Sequence, residues 1–213
     1  TRLATQLGIE QKMVDGRRIT DADTLRIVTM VYGGLVNKNI VTSLQAEGIN
    51  AIGLTGADMD IIRSHRRPAG EIDYGFVGDV DRVDAQAIAR LLDAGLVPVI
   101  APLSHDGHGS MLNTNADTIA SEVARALAPL FDTTLTFCFE KPGVLADEND
   151  DTSVIKKIDR ATYQQLRDRN IIAGGMIPKL DNAFKALNSG VKEVIITKAD
   201  AIAVPGSGTV ICN

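Results

Sequence analysis

Apolar residues recur at two spacings along this chain, and the two patterns alternate. The run 20–23 reads Thr-Asp-Ala-Asp, a T-x-x-D pattern that is typical of a helix start, and Gly48 is placed to end that helix. Apolar residues at helical spacing follow the start: Leu25, Val28, Tyr32 and Leu35. We therefore expect one long helix ahead of the first buried strand.

Short apolar runs typical of buried strands then alternate with helical patterns. We predict strands at residues 51–55, 96–101, 134–139, 194–197 and 209–211. Helices are predicted at 84–94, after the run 111–117, and from Lys179 onward. Alternation of this kind is typical of a parallel sheet covered on both faces. The predicted fold class is α/β, a three-layer αβα sandwich with a mainly parallel central sheet.

Two regions interrupt the alternation. Residues 61–80 carry Arg63, Arg66 and Arg67, and we interpret them as a protruding hairpin over a site, with its arginines at a solvated tip. The loop around Pro129 separates a helix from the next strand and predicts a domain boundary, giving lobes of residues 1–130 and 131–213.

Composition narrows the function classes. The chain has 213 residues, 45% of them hydrophobic, enough for a sizeable core, and its formal charge of −5 argues against general nucleic-acid binding. No apolar run approaches the roughly 20 residues that a bilayer requires. Two cysteines without metal or redox spacing fit a reducing compartment. We expect a cytoplasmic protein with no membrane or nucleic-acid partner.

Two predicted helix openings carry the candidate chemistry. The run 111–117 reads Met-Leu-Asn-Thr-Asn-Ala-Asp, and the run 174–179 reads Gly-Gly-Met-Ile-Pro-Lys. Asn and Asp at a helix start cap free N–H groups and can also face a ligand, while a Gly-Gly turn lets a helix N-terminus and a lysine approach phosphate oxygens. We interpret the two runs as a site for phosphoryl transfer. Ordinary capping also explains such a pair of openings, and a family resemblance of both segments favours the first interpretation.

Several segments resemble the acetylglutamate kinases of the amino acid kinase family: residues 16–20, 112–117, 143–145 and 174–179. The Asn-x-Asn-Ala-Asp and Gly-Gly-Met-x-x-Lys segments carry most of the specificity. The resemblance implies the amino acid kinase fold and ATP-dependent phosphorylation of the side-chain carboxylate of N-acetyl-L-glutamate, in arginine biosynthesis. It also implies that residues 1–130 bind acyl-glutamate and form the dimer, and that residues 131–213 bind the nucleotide.

The resemblance assigns roles to five residues. Arg18 would bind the substrate α-carboxylate, Asn113 and Asn115 would contact its polar atoms, Lys179 would meet the transferring phosphoryl group, and Asp117 would orient the catalytic lysines. Without the resemblance, Arg18 reads as a surface ion pair, Asn113 and Asn115 as helix caps, and Asp117 as a carboxylate stabilising a first helical turn.

The nucleotide would be held by the loop after the strand at 134–139 and by a second short segment. The predicted residues are Glu140, Lys141, Pro142, Gly143, Val144, Leu145, Ile171, Ile172 and Ala173. Mg²⁺ would be bound through the nucleotide phosphates. His105 and His108 could suggest a protein metal site, but a Gly-rich loop is the simpler interpretation, and we predict no such site.

One departure from the family concerns the front of the chain. Members of the family begin with strands that end in Lys-x-Gly-Gly and Gly-Gly-Gly turns, and neither turn is in this sequence. We therefore expect the natural protein to include an earlier segment with the first strands and a second catalytic lysine.

Alternatives to the main hypothesis are N-succinyl-L-glutamate or another acidic amino acid as acceptor, or a non-catalytic ligand-binding member of the fold. We expect a homodimer that arginine does not inhibit.

Overall fold

The computed structural model describes residues 5–9, 12–14, 17–172, 174 and 176–213, and it divides into two compact units. The first unit comprises residues 1–119 and the second comprises residues 120–213. The functional assignment of two lobes, with its boundary at residue 130, stays a prediction.

The first unit contains most of the short strands. Its strands are β1 Met13–Val14, β2 Arg17–Arg18, β3 Ala51–Leu54, β4 Ile62–Arg66, β5 Gly78–Val83, β6 Val97–Ile100, β7 Leu103–His105 and β8 Met111–Asn113. Its helices are α1 Ala22–Val28, α2 Asn37–Ala46, α3 Ala85–Asp93 and the start of α4 Ala116–Leu127, with a 3-10 turn at Asp58–Asp60.

A continuous helical stretch runs from α1 to α2 through the π-helical segment Thr29–Val36, and it ends before Gly48 as predicted. Its N-cap is Asp21, which accepts a hydrogen bond from the Thr24 N–H (2.8 Å), so the prediction that Thr20 caps this helix is wrong. That bond is the main reason why the pKa of Asp21 lies below its usual value. Thr20 instead belongs to a β-bridge with Gly75.

Besides the antiparallel pair β1/β2, the described strands of the first unit form two groups. The strands predicted at 51–55 and 96–101 are β3 and β6, which pair in parallel with Ala51 opposite Val97. The other group has the order β5-β4-β7-β8, in which β4 and β7 are parallel and the outer pairs are antiparallel. The hairpin predicted within 61–80 is confirmed as β4 and β5. The first part of the run 111–117 forms β8 rather than opening a helix, which begins only at Ala116.

The second unit is a four-stranded sheet with helices packed against it. Its elements are the rest of α4, β9 Thr134–Phe139, β10 Lys157–Ile158, α5 Arg160–Asp168, α6 Met176–Asn188, β11 Glu193–Lys198, a 3-10 turn at Ala199–Ala201 and β12 Thr209–Ile211. The strand order is β10-β12-β11-β9. The pairs β9/β11 and β10/β12 are parallel, and β11/β12 is antiparallel. The α/β fold class and the strands predicted at 134–139, 194–197 and 209–211 are confirmed.

The core of the second unit lies between α6 and the sheet. Leu180, Phe184 and Leu187 are buried on α6, as their helical spacing predicted. Lys179 is the fourth residue of α6 and does not head it. Across the described part of the chain, none of the helices combines the length and apolar character needed to span a bilayer.

Candidate active site

Three chain segments meet at Thr20 in the first unit. Thr20 is fully buried; its N–H donates to the Tyr74 carbonyl (2.9 Å), and its carbonyl accepts from the Phe76 N–H (2.7 Å). A Cβ atom at Gly75 would lie 2.2 Å from the Thr20 carbonyl oxygen, and the backbone there has φ of +71°. Both facts require glycine at position 75.

Asn113, at the end of β8, joins the same junction. Its backbone N–H donates to the Phe76 carbonyl (2.8 Å), and its side-chain Nδ2 donates to the Thr20 hydroxyl oxygen Oγ1 (3.0 Å). The side chain is half-buried. The segment around Phe76 therefore holds a predicted substrate-binding residue and the Thr20 backbone in one hydrogen-bonded arrangement.

Arg18 lies two residues before Thr20, at the end of β2, where it pairs with Met13 of β1. The neighbouring Ile19 N–H donates to the Lys12 carbonyl (2.9 Å), so the backbone is fixed on both sides of Arg18. The arginine is half-buried. Gly16, the first residue of the same motif, lies outside the described residues.

Asn115 and Asp117 sit at the start of α4. The Asn115 Oδ1 atom accepts from the Thr118 N–H (3.0 Å) and the Thr118 hydroxyl (3.4 Å), which confirms that Asn115 is a helix cap. Because this oxygen serves the cap, a substrate contact by Asn115 would use its amide N–H groups. Asp117 is half-buried in the first turn, where the helix dipole favours a negative charge.

Ion pairs fix the β4–β5 hairpin beside this junction. The Arg66 Nε–H donates to the Gly75 carbonyl (2.8 Å), its Nη2 lies 3.1 Å from an Asp73 carboxylate oxygen, and its guanidinium carbon lies 5.2 Å from the centre of the Phe76 ring. The Gly75 N–H is the main cause, with Arg66 a smaller one, of an Asp73 pKa below its ordinary value. The hairpin tip is thus tied to the residues that hold Thr20.

The remaining hairpin arginines also have carboxylate partners. Arg67 donates to Asp79 through Nε (3.0 Å) and Nη2 (2.5 Å), and this bidentate pair raises the pKa of Arg67. Arg63 lies 2.6 Å from Asp60. Since each of these cations is paired, the hairpin offers little net positive charge to a polyanion.

Asp60 is the centre of a second charged group at the base of the hairpin. Its carboxylate accepts from Arg63 and Arg82, and from His105 Nε2 at 2.7 Å. The Gly107 N–H donates to His105 Nδ1 (3.2 Å), which identifies Nε2 as the protonated ring nitrogen. Partial burial raises the Asp60 pKa, but the hydrogen bonds from His105 and Arg63, together with the charges of Arg82 and Arg63, leave the pKa below its ordinary value. Within the described residues, no His, Cys, Asp or Glu group is arranged to hold a metal ion.

Lys179 is half-buried on α6 in the second unit. Its Nζ lies 5.7 Å from the centre of the Phe137 ring, which is buried on β9. The Tyr163 hydroxyl on α5 donates to Asp181 Oδ1 (2.9 Å), two residues after the lysine. Burial, followed by that bond, raises the pKa of Tyr163. Helix α6 is therefore held from two sides close to Lys179.

The predicted nucleotide loop is anchored to β12. The Val144 N–H donates to the Thr209 hydroxyl oxygen (2.8 Å) in a buried position, and Thr209 itself is fully buried. A Cβ atom on Gly143 would lie 2.8 Å from that hydroxyl, so the close approach requires glycine. Lys141 Nζ lies 2.9 Å from an Asp151 oxygen, and this bond raises the lysine pKa.

Side chains in the two nucleotide segments face different surroundings. Val144 and Ile172 are each 2% exposed and belong to the core of the second unit, so their side chains do not face a ligand. Glu140 and Ile171 are exposed. Ala173 lies outside the described residues, and the contacts of the whole segment with a nucleotide stay a prediction.

Sequence reasoning missed two residues of these arrangements. The T-x-x-D pattern predicts that Thr20 is a helix cap, and the apolar run 209–211 predicts only that Thr209 belongs to a strand. No local sequence signal shows that a threonine hydroxyl accepts a hydrogen bond from a residue 65 or 93 positions away. Both contacts follow from tertiary packing.

Comparison with known proteins places the arrangement in a family. The model of the amino acid kinase family matches residues 1–198. This chain belongs to the amino acid kinase family. Among its relatives, a Bacteroides thetaiotaomicron protein named acetylglutamate kinase is 67% identical over 202 residues, which are 95% of this chain and 79% of that protein. A protein of the same name from Bacteroides fragilis is 64% identical over 97% of this chain and 79% of its own length.

Solved structures agree with the amino acid kinase fold. A crystal structure of a Streptococcus mutans protein superposes with a TM-score of 0.82 at 31% identity, covering 99% of this chain and 80% of that one. N-acetylglutamate synthase from Neisseria gonorrhoeae, complexed with coenzyme A and N-acetyl-glutamate, gives a TM-score of 0.83 at 21% identity over 100% of this chain and 49% of that one. At that identity the second likeness concerns the fold alone.

Proposed function

We propose that this chain transfers the γ-phosphoryl group of ATP to the γ-carboxylate of N-acetyl-L-glutamate, giving N-acetyl-L-glutamyl 5-phosphate in arginine biosynthesis. The observation that carries the proposal is the identity of 64–67% to two acetylglutamate kinases over nearly the whole chain. Arg18, Asn113, Asp117 and Lys179 support it, because they provide the cations, amide and carboxylate that this chemistry uses.

Positioning and charge compensation would supply the catalysis. The glutamate side chain has a pKa of about 4.3, so at neutral pH it is already an ionised nucleophile and needs no general base. Two anions must approach in line, which requires fixed cations. We assign Lys179 to the transferring phosphoryl group, Arg18 and Asn113 to the acyl-glutamate, and Asp117 to a supporting role in catalysis.

The nucleotide proposal includes Mg²⁺. We expect this ion to be held mainly by nucleotide phosphate oxygens, as is usual for Mg²⁺ bound with a nucleotide. When bound, that ion would offset the phosphate charge. The chain's own part is to hold the nucleotide through the loop 140–145, whose backbone is fixed at Val144 by Thr209.

A homodimer is part of the proposal. Large apolar side chains remain exposed along the helical stretch from α1 to α2: Met30, Tyr32, Leu35, Val36 and Ile40. An exposed apolar surface of this kind is typical of a protein interface. Sedimentation of the parent and of a Leu35→Lys variant tests it, since a dimer through this surface should weaken in the variant. Cytoplasmic location stays a prediction from cysteine usage.

The direct test is hydroxamate formation from ATP and N-acetyl-L-glutamate by the full-length protein. N-succinyl-L-glutamate, free glutamate and free aspartate serve as parallel acceptors. Preference for the acetylated acceptor supports the proposal, whereas preference for another acceptor reassigns the substrate. Nucleotide or acyl-glutamate binding without turnover would instead favour a non-catalytic ligand-binding member of the fold.

A further inference from the structure

Two threonines outside the residues assigned to substrates make similar hydrogen bonds, one in each unit. Thr20 and Thr209 are both 0% exposed, and each hydroxyl oxygen accepts a hydrogen bond from a segment assigned to a substrate. For Thr20 the donor is the Asn113 side chain, and for Thr209 it is the Val144 backbone. Each lies against a glycine, Gly75 or Gly143, that no larger residue could replace without displacing it.

Neither hydroxyl is needed to complete the strand pairing around it. The Thr20 backbone already bonds to both Tyr74 and Phe76, and Thr209 pairs through its backbone with Ile196. The hydroxyls therefore add a contact to the substrate segments beyond the backbone pairing. A buried hydroxyl that accepts one N–H bond restricts the rotation of an amide side chain or the path of a loop.

We propose that Thr20 is a positioning residue for acyl-glutamate, acting through Asn113, and that Thr209 is the matching positioning residue for ATP, acting through Val144. The inference depends on the proposed function, since it uses the substrates assigned there. Because Nδ2 of Asn113 donates to the Thr20 hydroxyl, the Oδ1 atom of this amide points away from Thr20. An oxygen held in this way suits the amide N–H of an N-acylated amino acid.

The test measures KM for both substrates in Thr20→Val and Thr209→Val, which remove the hydroxyl and keep the side-chain shape. Thr20→Val should raise KM for acyl-glutamate about five- to tenfold and leave KM for ATP within about twofold. Thr209→Val should show the reverse. Thr20→Ser and Thr209→Ser keep the hydroxyl and should restore most of each lost affinity.

Thr197→Val is the matched control, because Thr197 is 1% exposed and its hydroxyl bonds to Ser207 rather than to a substrate segment. It should leave both KM values unchanged. Adding Asn113→Ala to Thr20→Val should cost little more than Asn113→Ala alone, because the hydroxyl acts through that side chain.

Several results would overturn the inference. Folded valine variants with unchanged KM values, or equal losses for both substrates in each variant, would show a merely structural role. If Thr20→Val does not fold, Thr20→Ala replaces it, and failure of both variants to fold would assign the hydroxyl to folding and refute the proposal. An inactive parent enzyme would refute the proposed function instead, so the two failures are distinguishable.

Discussion

The two units hold their candidate residues by different means. In the first unit, Thr20, Phe76 and Asn113 come from separate segments and are joined by polar contacts, with ion pairs supporting the hairpin alongside. In the second unit, the segments around Val144 and Ile172 are part of an apolar core formed with α6 and β9. The difference teaches that polar contacts between segments orient a side chain such as that of Asn113, whereas apolar packing buries the side chain of Val144 and leaves its backbone to be fixed by the Thr209 hydroxyl.

The largest effect should come from the apolar core of the second unit. Phe184 is 3% exposed, and its ring lies 5.4 Å from that of Tyr163. Phe184→Ala should lower the free energy of unfolding by about 3–5 kcal/mol, through lost burial and a cavity. Urea denaturation measures this. Phe131→Ala, at an exposed position of the same unit, should change it by less than about 0.5 kcal/mol.

The next effect concerns the one assigned catalytic cation of the second unit. Lys179→Ala should lower kcat about 100- to 1,000-fold while changing both KM values only slightly, because the charge matters most in the transition state. Steady-state kinetics measure it. Lys185→Ala alters an exposed lysine on the same helix and is the control. Comparable kcat values for Lys179→Ala and the parent would refute the role.

A smaller effect is expected for the arginine of the first unit. Arg18→Lys keeps the charge but loses the planar fork that suits a carboxylate, so KM for acyl-glutamate should rise about 10- to 100-fold. Calorimetric titration of acyl-glutamate provides a second measurement. Arg26→Lys changes an exposed arginine paired with Asp23 and should have no effect. If Arg18→Lys instead weakened the binding of ATP, the assignment of Arg18 to acyl-glutamate would be wrong.

The smallest effect is expected for the charged group around Asp60 in the first unit, and it depends on pH. The folded-state pKa of Asp60 lies below its ordinary value of 3.8, so its stabilising contribution is present above that value and is lost as the pH falls through the lower, folded-state pKa. The melting temperature of the parent should therefore decline relative to Asp60→Asn in this window. Solvent screening limits the difference to about 2 °C. An equal decline in the melting temperatures of both proteins would show that Asp60 does not contribute to the loss of stability in acid.

Local patterns were sufficient for most elements. Thr134–Phe139 and Thr209–Ile211 are strands at the predicted positions, and Leu180, Phe184 and Leu187 are buried as their spacing indicated. Where the sequence misled, a tertiary contact competed with the local signal. Thr20 has the residue type of a helix cap, but its backbone is paired with the 74–76 segment, and the cap moves to Asp21.

The run 111–117 shows the same competition. Its polar residues predicted a helix opening, yet Met111–Asn113 pairs with β7, and only Asn115 caps the helix. The continuous stretch from α1 to α2 includes a π-helical segment that spacing did not predict, and Tyr32 and Leu35 on it are exposed. Periodicity predicts that a residue faces one side of a helix but not what covers that side.

The amino-acid sequence alone determined the alternation of strands and helices, the family and the residue types available for phosphoryl transfer. These depend on local propensity and on side-chain chemistry, which each segment carries with it. The tertiary structure decided that Thr20 meets Asn113, that Thr209 meets Val144, and that the hairpin arginines are paired with carboxylates. Such contacts join residues distant in sequence and form only when the packed chain brings their donors and acceptors within hydrogen-bonding distance.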